Sequence, residues 1–359
     1  MSGAGPSPRE IGARRALLLG AAAGALSAIL GGLARFGWSV PALRTGTAAH
    51  GPLLVVGVFA TVIGLERAVA LGARWAYAGP AFGVAAIGAH ALGAHAAAAW
   101  LASGSAAGLV AVDVAIVRRQ PAAFTALMLL GALVLFGATL ASALGRPVPE
   151  VALAWVAFFV CTIVAERLEL SRLVRTPRAA TLALSALLVV TAIAAGLAAQ
   201  WPIATRALGG ALVLVALWEL RFDVASRTIR RAGLPRFVAV GVLSGVGWLA
   251  VAGALLAAKG FERTAAYDAT LHAVFVGFVL SMVFAHAPII LPAVARVELP
   301  FHPILYAPLA ALHASLALRV VAGLAGAAEL RALGGLGNAL ALGLLVLAVL
   351  FARAAPRAA

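Results

Sequence analysis

Charge is scarce in this chain: only 11% of its 359 residues are Asp, Glu, Lys or Arg, while 64% are hydrophobic and the mean hydropathy is +1.07. A water-soluble fold needs a polar face on every element, so a composition this apolar excludes a soluble domain. Cysteine is nearly missing too. The single Cys161 excludes a disulfide framework and any cysteine-based zinc or iron–sulfur site. No Cys-x-x-Cys-His is present, which excludes covalent c-type haem. Acidic residues are few, 12 against 27 Lys and Arg, but the resulting +15 is no nucleic-acid footprint, as its distribution shows.

What remains is apolar length. Twelve stretches of about twenty residues fall near 16–36, 49–70, 75–93, 97–117, 122–144, 150–170, 179–200, 202–222, 236–258, 268–292, 303–324 and 332–353. In lipid every backbone N–H and C=O must be satisfied within the chain, so such spans are helices. The expectation is an all-α, polytopic integral membrane protein of about twelve transmembrane helices. It forms a single transmembrane domain over 1–359, with a short cytoplasmic N-terminal segment 1–15. The first span follows Arg14-Arg15 and reads as a retained anchor, because no convincing small-residue cleavage site follows it.

With the N-terminus inside, the inner segments hold Arg9, Arg14, Arg15, Arg67, Arg74, Arg118, Arg119, Arg167, Arg172, Arg175, Arg178, Arg221, Arg227, Arg230, Arg231, Arg236, Arg296, Arg353 and Arg357. That is 19 of the 27 Lys and Arg. The bias follows the positive-inside rule and predicts a cell inner (cytoplasmic) membrane protein with both termini cytoplasmic. The partner this implies is the lipid bilayer, not nucleic acid.

An internal period is visible. Phe59, Glu66 and Arg67 match Phe159, Glu166 and Arg167 at an offset of one hundred residues, and the tenth span begins where a third copy would. Three repeats of four helices account for this spacing. Glu-Arg at a cytoplasmic helix end is also ordinary interfacial chemistry, with long stems reaching for water.

Seven histidines remain, and a polar ring in hydrocarbon usually marks a function. Neutral imidazole suits haem or metal ligation. His50 opens the second span at its outer end, and Gly57 and Gly64 follow at seven-residue steps on one helical stripe. The stripe fits a flat groove beneath an axial ligand, where a porphyrin plane could lie. It equally fits close packing of two helices. His272 lies one turn into the tenth span at similar depth, followed on its stripe by Val279 and His286. Two imidazoles at one depth are what a bis-histidine b-type haem requires. His286 with His302, and His272 with His313, are nearly symmetric about one turn, so a hairpin would bring each pair level. On that reading His313 joins the haem pocket, while His286 and His302 hold copper or another metal near the cytoplasmic surface. His90 and His95 sit at an outer helix end, as surface residues or as members of a metal site on the outer face.

These features resemble a known group. Histidines near the outer ends of the second and tenth of twelve helices are similar to the catalytic subunit of haem–copper oxidases and nitric oxide reductases, where those helices carry the axial ligands of the low-spin haem. The chain more closely resembles the NnrS family of haem- and copper-containing membrane proteins linked to nitric oxide stress and denitrification. The residues carrying the likeness are His50-Gly-Pro-Leu-Leu-Val-Val-Gly57-Val-Phe59, and His272-Ala-Val-Phe-Val-Gly277-Phe278 running on to Ala285-His286. The sixth and seventh spans contain no histidine, so the usual oxidase copper site is missing, and Glu150 stands at the position matching His50. His302-Pro-Ile-Leu-Tyr306 echoes the oxidases' copper segment but lies on another helix and at the other side.

The resemblance implies a haem-binding protein with a redox or diatomic-gas (nitric oxide) role, an electron donor or gas as partner, and a haem-dependent oxidoreductase activity. Two other classes fit the composition. Twelve helices with Glu66, Glu166, Glu219 and Asp113 in them suit a secondary transporter, though these acids lie at helix ends and not at the midplane. An accessory membrane partner of a metalloenzyme is the third.

Overall fold

In the computed structural model, residues 7–40, 46–171, 176–261 and 265–355 are described. Arg172, Arg175 and Arg357, and the first part of the N-terminal segment, lie outside them. Among the described residues there are helices and no strands. The helices are α1 (Pro8–Ala34), α2 (Ala49–Leu71), α3 (Ala78–Ala91), α4 (His95–Arg119), α5 (Ala123–Ala143), α6 (Val148–Ser171), α7 (Arg178–Leu197), α8 (Pro202–Phe222), α9 (Gly233–Lys259), α10 (Ala265–Ala295), α11 (Pro303–Leu324) and α12 (Ala328–Ala354).

Eleven of them are long and apolar enough to cross a bilayer. The protein is therefore an all-α polytopic membrane protein. The exception is α3, expected as a full span. Its 14 α-helical residues rise only about 21 Å at 1.5 Å each, against a hydrocarbon core of about 30 Å. A 3₁₀ turn at Arg74–Tyr77 precedes it.

Local sequence explains the ends. Ser7 and Glu10 form a reciprocal capping box on α1, Glu10 N–H donating to Ser7 Oγ at 3.3 Å and Ser7 N–H to Glu10 Oε2 at 2.8 Å. Pro8 and Pro202 stand in the first turns of α1 and α8, where a missing N–H does no harm. Gly72 closes α2 at φ +68°, a left-handed conformation that glycine adopts without strain.

Two helices are not regular. The middle of α2, Leu53–Ala60, and the middle of α10, Ala273–Leu280, are each eight-residue π-helices. Such segments are rare and concentrate at functional sites. Pro52 immediately precedes the first; its ring cannot continue the regular bonding ladder, which gives the widened turn a local cause.

The chain gathers into two compact units. One comprises Met1–Gln120, Leu135–Val148 and Ile289–Glu298; the other comprises Pro121–Val134, Pro149–Pro288 and Leu299–Ala359. In the first unit, Ala28 of α1 packs with Ala49, Leu53 and Ile87. There α3 and α4 cross at glycines: a Cβ on Gly108 would stand 2.6 Å from the Cα of Gly79. Arg119 closes the end of α2 by donating from Nη1 to the Leu71 carbonyl at 2.7 Å.

In the second unit α6 is the buried axis. It is apolar on every side, which identifies a helix enclosed by others, and Val156 through Cys161 are fully buried. α8 and α9 also cross at glycines. A Cβ on Gly209 would meet the Gly253 carbonyl at 2.6 Å, and one on Gly253 would meet the Gly209 carbonyl at 2.7 Å. In lipid, where apolar burial does not drive helices together, such backbone contact is a principal source of attraction. Gly253→Leu should therefore lower stability in detergent by about 1–3 kcal/mol or more, because neither backbone can yield. Thermal unfolding of the variant beside an exposed control, Leu217→Ala, checks this.

Candidate functional site

The two histidines ahead of the π segments both give Nδ1–H to a backbone carbonyl, His50 on another helix and His272 on its own. The His50 ring lies over Gly32 of α1, where a side chain would collide with it, and its Nδ1 donates to the Ala28 carbonyl at 2.6 Å. The His272 Nδ1 donates to the Asp268 carbonyl, one turn back in α10, at 2.8 Å. A neutral ring that donates from Nδ1 carries its lone pair on Nε2, and this backbone bond is the usual orienting device of a ligating histidine.

A charged clamp stands behind His272. Asp268 receives the Arg319 guanidinium in two bonds, Nε to Oδ2 at 3.1 Å and Nη2 to Oδ1 at 2.8 Å. Its Oδ1 also lies 3.3 Å from His272 Nδ1. Fork-to-fork pairing fixes the carboxylate's direction as well as its charge, so Arg319 on α11 anchors the turn that carries His272.

His313 stands in a different arrangement. Its Nδ1 accepts the indole N–H of Trp248 at 3.0 Å; tryptophan can only donate, so the ring's proton is on Nε2. That Nε2–H faces Ser244 Oγ at 2.9 Å and Ser281 Oγ at 3.3 Å. The serines in turn donate to backbone, Ser244 to the Val240 carbonyl and Ser281 to the Gly241 carbonyl, each at 2.7 Å. With its lone pair held by Trp248, His313 has none for iron. Nor is this a nucleophile with its base, since the histidine donates to the hydroxyls. Trp248 itself is seated on Gly277 of the π segment, where a Cβ would collide with the indole.

The hairpin symmetry expected from the histidines is not the one formed. α10 ends at Ala295 and α11 begins at Pro303, so the connection is centred at residue 299, several residues later than that symmetry requires. His313 therefore meets Ser281 and not His272. The inner pair also has separate partners. His286 donates from Nδ1 to the Met282 carbonyl at 2.8 Å, and its Nε2 faces Arg167 Nη1 at 3.4 Å. His302 Nδ1 accepts the Ile304 N–H at 3.1 Å, and its ring lies edge-on to Phe351. Among the described residues no group of three or more His, Cys, Asp or Glu side chains is placed to hold a metal ion.

The glycine stripe of α2 serves packing against α3. A Cβ at Gly57 would strike Ile87 at 2.8 Å, and one at Gly64 would touch Pro80 at 3.4 Å. His90 and His95 pair at the α3–α4 turn, Nδ1 to Nδ1 at 3.3 Å with ring centroids 4.7 Å apart.

Sequence reasoning missed the π segments and the buried polar partners. One signal was available. At an offset of 220 residues Gly57 matches Gly277 and Thr61 matches Ser281, which superposes the two π segments residue for residue. Aligning the histidines instead displaces this match by two positions.

Trp248→Phe should destabilise the protein by about 1–3 kcal/mol, because it leaves Nδ1 of half-buried His313 without its donor. Denaturant unfolding in detergent checks this, with Trp248→His as the variant able to restore a donor. No curated protein and no solved structure matches the chain. A family model described as a domain of unknown function (DUF8744) matches residues 14–354, nearly the whole of it. The chain belongs to the DUF8744 family.

Proposed function

We propose that the protein binds b-type haem in the membrane through His50 and His272, and that it serves a redox or diatomic-gas role such as handling nitric oxide. The observation carrying this reading is the shared setting of the two rings. His50 stands three residues ahead of one eight-residue π segment and His272 directly ahead of the other, and each donates from Nδ1 to a backbone carbonyl, which places its lone pair on Nε2, the tautomer axial ligation needs. When bound, haem supplies one-electron transfer or an iron that takes a diatomic ligand.

The fit is to the axial donors. His313, with its lone pair on Trp248, and Gly57 and Gly64, filled by Ile87 and Pro80, act as neighbouring structure in this reading and not as ligands. Asp268 and Arg319 orient His272, and the carboxylate behind the ring makes it a stronger donor to iron. The likeness to the NnrS family and an inner-membrane location with cytoplasmic termini belong to the same proposal. The inner-face arginine bias supports that orientation.

Protein purified in detergent from cells supplied with haem should give sharp b-type bands on dithionite reduction. His50→Ala and His272→Ala should each abolish six-coordinate haem, while Asp268→Asn should retain it with a raised midpoint potential. Haem content and spectrum unchanged in both alanine variants would remove the proposal.

A further inference from the structure

The second unit contains a buried charged cluster that the haem reading does not use. At its centre is Arg167 on α6, with a side chain only 4% exposed. It donates from Nε to Asp223 Oδ2 at 2.8 Å and from Nη2 to Asp223 Oδ1 at 2.7 Å. The Asp223 side chain is fully buried, and its Oδ1 also accepts the Ala225 N–H at 2.6 Å, at the start of the one-turn helix Ala225–Thr228. The third direction of the guanidinium, Nη1, points at His286 Nε2 on α10.

One turn before Asp223, near the end of α8, is Glu219. It is 1% exposed, neither carboxylate oxygen meets a hydrogen-bond donor, and the side chain within hydrogen-bonding reach is the Asp223 carboxylate, which can only accept. Its electrostatic neighbours are Asp223 and Arg167, and Arg167 is also within reach of half-buried Glu166. The charged residues at the same ends of α7 and α9, the helices packed along α8, are Arg178 and Arg236; both are exposed to solvent.

The buried cation is Arg167, and Asp223 neutralises it in a two-point pair. His286 donates from Nδ1 to the Met282 carbonyl, so the nitrogen facing Arg167 is its lone pair and the ring is neutral. An ionised Glu219 would be a second negative charge in the cluster, buried and without a donor. In hydrocarbon that state is prohibitive, and a group in this position neutralises instead.

We propose that Glu219 is a buried proton-binding site whose ligand is H⁺, and that Arg167 responds to its occupancy. With the proton bound, Arg167 pairs with Asp223 as found. Release moves one proton from a Glu219 oxygen to water and leaves one negative charge; nothing is oxidised or reduced. That charge attracts Arg167, which can reach Glu219 only by giving up bonds to Asp223 or His286. Proton occupancy is thereby linked to the joint between α6, α8 and α10, and this holds whether or not haem binds.

Infrared spectroscopy of protein reconstituted in lipid, with ¹³C-carboxyl glutamate as the only label, tests the proposal. At neutral pH the labelled wild type should show a protonated-carboxyl C=O band that shifts in D₂O. Part of it should vanish in Glu219→Gln, and equally in Glu219→Asp, which keeps an acid there but removes the label. Asp223→Asn should also remove that part, because Arg167 then turns to Glu219 and ionises it. No protonated glutamate band in the wild type, or a band unchanged in whichever Glu219 variant folds, overturns the proton site. A full band in Asp223→Asn overturns the role given to Arg167.

Discussion

A polar group inside a helical membrane protein has no water to turn to, so its partner must be another part of the chain. That constraint organises the interior of this protein. His50, His272 and His286 each give Nδ1–H to a backbone carbonyl. Arg167 and Arg319 each take both oxygens of one aspartate. Ser244, Ser281, Trp248 and His313 close into one set of bonds that ends on two backbone carbonyls. The helices around them meet through glycines, because close backbone approach replaces the apolar driving force that lipid removes.

Against that background the exceptions carry the functional content. Glu219 is buried with no donor while its neighbour Asp223 has three, counting the Ala225 N–H. The two π segments are exceptions of another kind, since each departs from the regular bonding pattern in the middle of a long span. Their occurrence in α2 and α10, next to the histidines proposed to hold haem, ties the backbone irregularity to the same places as the chemistry. The Glu-Arg match of α2 and α6 has a looser structural counterpart: Arg67 and Asp113 of α4 are both buried and near enough to feel each other's charge, while Arg167 pairs directly with Asp223 after α8.

The chain's own order decided several matters outright. Charge content of 11% and apolar stretches of about twenty residues determine a helical membrane protein, because no other solvent and no other spanning structure fit them. Eleven of the twelve expected spans are long and apolar enough to cross a bilayer among the described residues, since span length is a local property of hydropathy; α3 is short because the 3₁₀ turn Arg74–Tyr77 takes its first residues and Gly93, at φ +77°, follows its end.

What each histidine touches was a tertiary decision. Whether Gly57 and Gly64 line a groove or a helix contact depends on what α3 brings to them, and Ile87 and Pro80 lie thirty and sixteen residues further along the chain. The pairing of His313 depended on where the α10–α11 connection is centred, and on Trp248 and Ser244 of a third helix. Asp223, which falls between the eighth and ninth expected spans, is buried because Arg167 lies 56 residues earlier on the axial helix and needs a counter-charge there. Composition and period are summed along the chain and survive without a fold, so sequence alone determines the solvent and the helices. A partner for a buried polar group is a single meeting of distant residues, and only packing settles it.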